Sequence, residues 1–235
     1  MKKFELTNEF ITNMFGTKLF RIRALVEFGD VEAGELGGYV EKESNLGHDD
    51  NAWVYDNAWV YGNARVYGDA QVSGDARVYG NARVYDNAWV YGNAQVSGNA
   101  RVYGDARVCG NALVYDNAWV YGNARVCGDA LVCGNARVCS DALVCGNARV
   151  CSDEDYAYAH GFGSVNRTTT FFRLKDGGVG VRCGCFYGTL AQFRDKIRET
   201  HGETKKAQEY LMLADLMELR FEEDENEVGN RKYVE

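Results

Sequence analysis

Arg65, Arg83 and Arg101 stand 18 residues apart, and Tyr67, Tyr85, Tyr103 and Tyr121 keep the same interval, with Trp119 one interval past Arg101. If 18 residues make one full turn of the chain, these side chains form two adjoining columns, one cationic and one aromatic. Guanidinium groups grip phosphate through forked N–H donors, and aromatic rings offer flat apolar surface, so the pair suits an anionic small molecule with phosphates and a base. Arg65, Tyr67, Arg83, Tyr85, Arg101, Tyr103, Trp119 and Tyr121 are therefore the candidate ligand-binding residues. The competing explanation is that like residues stack to stabilise the coil, at about 0.5–1 kcal/mol per pair.

Other residue types that carry chemistry are poorly placed. General-base catalysis most often asks for a histidine, and the chain has His48, His160 and His201, none of them inside the repeat. No catalytic residue is assigned. Of eight cysteines, six (Cys109, Cys127, Cys133, Cys139, Cys145 and Cys151) occupy one phase of the repeat and read as small apolar fillers. Cys109, Cys127 and Cys145 should stack at a spacing that a disulfide allows. The absence of any CxxC spacing and the expected reducing compartment argue against both a metal site and a disulfide framework. No metal and no cofactor are expected.

The element that must position the columns is a six-residue phrase, Asn/Asp-Ala-X-Val-Tyr/Ser/Cys-Gly/Asp/Ser, recurring from Asn51 to Cys151 without an insertion. Ala and Val are two apart and so share one side of a strand, the interior, while X and the residue after Val point outward. The Asn/Asp and Gly/Asp/Ser pair tolerates tight turns and left-handed backbone. Each hexad is then one short strand and one corner. Three corners close a triangular coil, and the repeat supplies between five and six turns, roughly 27 Å long at 4.8 Å per turn. The absence of proline fits, because proline would remove hydrogen bonds from the stacked strands. The three outer faces begin at Trp53/Tyr55, Trp59/Tyr61 and Arg65/Tyr67, and the third is the most regular.

With Val60 and Ala64, and Val66 and Ala70, the phrase resembles the hexapeptide-repeat left-handed β-helix proteins. The resemblance implies a mainly β fold, a left-handed parallel β-helix or triangular β-solenoid, with trimers as the common assembly and acyl-CoA-dependent acyl transfer as a common activity. This sequence departs from that pattern after the aliphatic residue, where Tyr replaces a small or acidic residue. It also lacks the histidine and the loop that acyl transfer would need.

Residues 1–50 do not repeat and are assigned as an N-terminal cap, which a solenoid needs over its end rung. Within it, 9–15 reads as a short helix stopped by Gly16, and 18–26 as a strand. Residues 51–152 are the solenoid. Residues 153–235 form a small α+β segment of ββαα type. Thr168–Leu174 and Val179–Phe186 read as paired strands, Thr189-Leu190-Ala191-Gln192 as a capping box, and Thr204–Phe221 as a second helix. The stretch Glu222–Glu235 reads as a frayed acidic end.

The phrase Gly184-Cys185-Phe186-Tyr187-Gly188-Thr189-Leu190 is similar to a tail of small phage and prophage proteins. The stretch from Asp30 to Val40 is similar to the entry cap of acyltransferase-like solenoids. Leu113, Leu131 and Leu143 on outward positions suggest cover by the C-terminal segment or by another subunit.

A net charge of −8 argues against bulk binding of nucleic acid. With no apolar run long enough for a signal peptide or a membrane span, the expectation is a soluble cytoplasmic homo-oligomer. The function expected is that of a non-catalytic binding scaffold of phage or prophage type, sequestering a small nucleotide-like ligand. A hexapeptide-repeat acyltransferase and a structural, polymer-forming coil are the alternatives.

Overall fold

The computed structural model describes residues 2–163 and 167–222, and the chain divides into two compact units, Met1–Glu154 and Asp155–Glu235. The expected acidic end lies outside the described residues apart from Glu222.

In the first unit three longer strands, β1 (Phe4–Thr12), β2 (Lys18–Ala24) and β3 (Leu36–Val40), precede seventeen two-residue strands, β4 (Trp53–Val54) to β20 (Arg149–Val150). The short strands stack in parallel, each against the strand 18 residues on, with Val54 opposite Val72, Val60 opposite Val78 and Val66 opposite Val84. Three parallel faces result, one of them extended by β3, β2 and β1. Every repeat Ala and Val from Ala52 to Val150 is at most 1 % exposed. Each valine so buried contributes about 1.5–3 kcal/mol, which makes the two-letter interior sufficient to hold a coil with very short strands. The fold is a mainly β, parallel β-solenoid of about six turns, as the hexad dictates.

The corners have their own chemistry. From Asp56 to Gly146 the sixth residue of the hexad adopts a left-handed conformation, with φ +69° at Gly68 and +71° at Gly80, and Asp56, Asp86, Asp116 and Ser140 do the same at +53° to +58°. Along each corner no two side-chain-bearing residues follow one another. Asp50, Gly68, Asp86, Gly104, Gly122 and Ser140 make one such column. Aspartate tolerates this region because its side chain bonds locally. Here Asp56 Oδ2 accepts from the Gly74 N–H at 2.9 Å and Asp86 Oδ2 from the Gly104 N–H at 3.3 Å, one turn on. Beside the corners run asparagine ladders: Asn63 donates to Asn81, Asn81 to Asn99, Asn99 to Asn117 and Asn117 to Asn135, at 3.0–3.3 Å.

Because each rung's N–H groups donate to the carbonyls of the next rung, the first rung presents carbonyls without donors. The N-terminal segment supplies a donor on each face. On one, the Tyr39 and Glu41 N–H groups reach the Ala58 and Val60 carbonyls. On the second, Asn45 Nδ2 reaches Ala64 O at 2.8 Å and the Gly47 N–H reaches Val66 O at 2.8 Å. On the third, the buried Lys3 ammonium donates to Asp50 O and Ala52 O at 2.6 and 2.8 Å.

Two expectations for this segment are corrected. Residues 9–15 are not helical: β1 pairs antiparallel with β2, placing Phe10 against Phe20 and Thr12 against Lys18. Asn13 Oδ1 accepts from the Phe15 and Thr17 N–H groups and so closes the hairpin. Cross-strand pairing outweighed the weak helical spacing. Trp53 is not on an outer surface either, since it is fully buried with Phe4 and Phe28 edge-on at 6.2 and 5.3 Å.

In the second unit the sheet has four strands where two were expected: β21 (Tyr156–Phe162), β22 (Arg167–Arg173), β23 (Val179–Cys183) and β24 (Phe186–Thr189). The single strand expected over 179–186 turns at Gly184 and pairs with itself, Cys183 opposite Phe186. The capping box opens helix α1 (Leu190–His201), with Thr189 Oγ1 accepting from the Gln192 N–H and Gln192 Oε1 from the Thr189 N–H. Helix α2 (Lys205–Phe221) starts at Thr204 as expected. Phe171, Val181, Phe193, Ile197, Tyr210 and Met217 belong to its core. No helix among the described residues is long and apolar enough to cross a membrane.

Candidate functional site

The third face is the sheet of β6 (Arg65–Val66), β9 (Arg83–Val84), β12 (Arg101–Val102), β15 (Trp119–Val120) and β18 (Arg137–Val138). Register places Arg65 beside Arg83, Arg83 beside Arg101, and Arg101 beside Trp119. All eight sequence-derived residues therefore share one face. Tyr67, Tyr85, Tyr103 and Tyr121 stack with centroids 4.9–5.1 Å apart and planes within 4° of parallel.

That closeness changes what the rings can offer. A base stacks on one ring at about this separation, and the neighbouring tyrosine already occupies that place. Tyr85 and Tyr103 have both faces covered and present edges and hydroxyls only. Burial pushes the Tyr85 phenol above its ordinary pKa, with the neighbouring Tyr103 and Tyr67 adding to the shift, and burial raises Tyr103 as well. Trp119 is occupied too, with the Arg101 guanidinium over its ring at 4.8 Å and that of Arg137 at 5.1 Å. The lower half of the face is engaged with itself.

The upper end is open. A groove of about 520 Å³ lies where residues 43–49 bend over the first rung, and Arg65, Arg83 and Tyr67 form its coil side. Glu43, Ser44, His48 and Asp49 form the other side. Leu46 bridges to Val66, which fixes the segment against the sheet. Among the described residues neither Arg65 nor Arg83 makes an ion pair, whereas Glu43 is taken by Lys2. Two like charges in direct register repel, and the two guanidiniums share the groove without a direct ion pair to either. Sequence reasoning missed the cap residues of this groove, because nothing in a non-repeating segment states which rung it will cover.

His48 is oriented by its surroundings. Its Nδ1 accepts the Lys3 backbone N–H at 3.2 Å, and its ring stacks on Phe4 at 4.4 Å. Burial lowers its pKa, a shift opposed by Glu43. With Nδ1 used as an acceptor, the neutral ring carries its proton on Nε2 and has no lone pair there for a general base.

Residues 58–74, 70–82, 76–92, 94–108, 106–122 and 118–134 match the family described as the YdcK beta solenoid repeat. The chain is a β-solenoid repeat protein. The matched windows carry all eight face residues, from Arg65 to Tyr121, and leave out the cap residues that close the groove. No curated protein matches the chain.

The cysteine ladder is only partly the filler expected. Cys133 and Cys151, one turn apart with Cα atoms 4.3 Å apart, form a disulfide, so oxidation joins a pair on the second face. On the first face Cys109 donates its S–H to Cys127, and with burial this pushes its pKa well above the ordinary thiol range. That thiol is a poor nucleophile. No cluster of three or more metal-ligating side chains occurs among the described residues.

Proposed function

We propose that this β-solenoid is a non-catalytic binding scaffold, of phage or prophage type, and that it sequesters a small phosphate-bearing, nucleotide-like molecule in the groove of Arg65, Tyr67 and Arg83. The observation that carries this reading is the pair of register-matched guanidiniums that make no ion pair among the described residues, beside the end ring of the tyrosine stack and beneath the cap. Phosphate oxygens bridge the two arginines and the base lies against Tyr67, while Ser44 and Asp49 offer hydrogen-bonding groups to a sugar or base edge. Arg101, Tyr103, Trp119 and Tyr121, placed with them by sequence, stiffen the face instead.

The acyltransferase alternative is weakened by His48, the histidine of this groove, whose Nδ1 is spent on Lys3. A homo-oligomer, with a trimer favoured by the family resemblance, and a cytoplasmic setting belong to the same proposal.

Isothermal titration with a nucleoside diphosphate tests it. Arg65→Gln with Arg83→Gln should weaken binding about 100-fold or more, by loss of two charged hydrogen-bond partners. Arg101→Gln should leave it near wild type. Equal affinity in the double variant would overturn the assignment. Native mass spectrometry of the purified chain then reports any retained ligand and the subunit number together.

A further inference from the structure

A second cavity, of about 270 Å³, lies within the C-terminal unit, just under the size of pockets that hold drug-sized ligands. Its walls are aromatic. Phe193 stands 5.4 Å from Phe186 and edge-on to Tyr210 at 5.9 Å, and Tyr210 in turn carries the His201 ring at 5.9 Å. Its polar lining is of one sign: Arg167, Lys196 and His201 contribute cationic or donor groups, and no carboxylate lines it. Lys196 is held by Glu199 at 2.8 Å, whereas Arg167 makes no ion pair among the described residues. The C-terminal end of α1 also points here, but its half-charge is smaller than the full charge of Arg167, and its Arg198 carbonyl is capped by the Gly202 N–H.

Local sequence makes the cavity. Gly184 turns the chain between β23 and β24 at φ +59°, and the Arg167 guanidinium passes where a Cβ at that position would be. Phe193, Lys196, Ile197, Thr200 and His201 fall at helical spacing and so share one face of α1. The rim carries the exposed thiol of Cys185.

A cationic anchor with aromatic walls and no anion of its own is complementary to a small organic anion with a flat body. We infer that this cavity is a binding site for a small aryl or comparably flat anion, its carboxylate or phosphate on Arg167 and His201 and its apolar body against the ring edges of Phe186, Phe193 and Tyr210 that line the cavity. The cavity shares no lining residue with the solenoid groove.

Alkylation of Cys185 by iodoacetamide, followed by mass spectrometry on the full chain, reads occupancy directly. Phenyl phosphate and benzoate should slow it, and whichever protects at lower concentration names the preferred head group. Benzamide, which lacks the charge, and inorganic phosphate, which lacks the body, should not. Arg167→Gln should raise the protecting concentration about tenfold or more, while Arg167→Lys retains part of the effect. Arg65→Gln with Arg83→Gln should change nothing at Cys185, which separates this site from the groove. Protection by benzamide or by inorganic phosphate at equal concentration, undiminished protection in Arg167→Gln, or no protection by any probe would overturn the assignment. Unchanged thermal unfolding of both Arg167 variants excludes misfolding as the cause.

Discussion

The Lys3 ammonium donates to the Ala52 carbonyl at 2.8 Å, in the place where one more rung would have put a strand N–H. A side chain thus ends a backbone ladder, and it does so while buried. Its ammonium also lies over the Phe28 ring at 4.5 Å.

Lys3→Met should destabilise the first unit by about 1–3 kcal/mol, because the Asp50 and Ala52 carbonyls lose a donor. The effect should depend on pH. Burial lowers the Lys3 pKa from 10.5 to about 8, against the pull of Asp50, Asp49 and Asp69. Between those values the unfolded chain holds a proton that the folded chain has released, so wild-type stability rises with pH through this window. The neutral amine still has two N–H donors for the two carbonyls. Denaturant melts should therefore show a larger gap between wild type and Lys3→Met at about pH 9.5 than at about pH 7. A gap that narrows would refute this account.

The tyrosine stack gives the opposite slope at higher pH. Tyr85 is raised above its free value of 10.0, chiefly by burial. The folded chain therefore keeps a proton that the unfolded chain loses. The associated stability is complete below pH 10 and disappears as pH climbs through the folded value. Tyr85→Phe keeps the stacking and lacks the titration, so above pH 10 its melting temperature should fall less steeply than that of wild type. Tyr85→Ala should cost about 1–3 kcal/mol at neutral pH through its two ring contacts.

Corner glycines are not equivalent. A Cβ at Gly68 would meet the Asp86 backbone N at 2.8 Å, while one at Gly80 would meet Gly98 N at 3.0 Å with glycine on both neighbouring turns. Gly80→Asp should be tolerated, its carboxylate accepting from the Gly98 N–H as Asp56 does from Gly74. Gly68→Asp, between Asp50 and Asp86, should lose at least about 1 kcal/mol more from crowding and strain. Thermal unfolding of the two variants decides it, and equal melting temperatures would show that the alternation along the corners has no energetic basis.

Much of this protein is legible from residue order because its contacts are periodic. Knowing that Val66 repeats as Val84 is enough to stack them, and the same count lines up Arg65 with Arg83 and Tyr67 with Tyr85. The C-terminal helices were legible for a local reason, since Thr189 and Gln192 cap each other within four residues. What escaped the sequence involves partners distant along the chain. The strand of 9–12 needed Lys18 and Phe20 opposite it, the burial of Trp53 needed Phe4 and Phe28, and β21 needed β22 beside it.

The hexad by itself determined the parallel coil, the Ala/Val interior, the glycine-rich corners and the shared face of the eight candidate residues, since a strict repeat converts sequence distance into spatial distance. Only the tertiary structure decided which of those residues have anything left to offer. Ring separations near 5 Å close the tyrosine faces, Arg101 and Arg137 cover Trp119, and of the eight only Arg65, Tyr67 and Arg83 line the groove under the bend at 43–49. Availability depends on what a non-repeating segment happens to cover, and that is settled by packing across the chain.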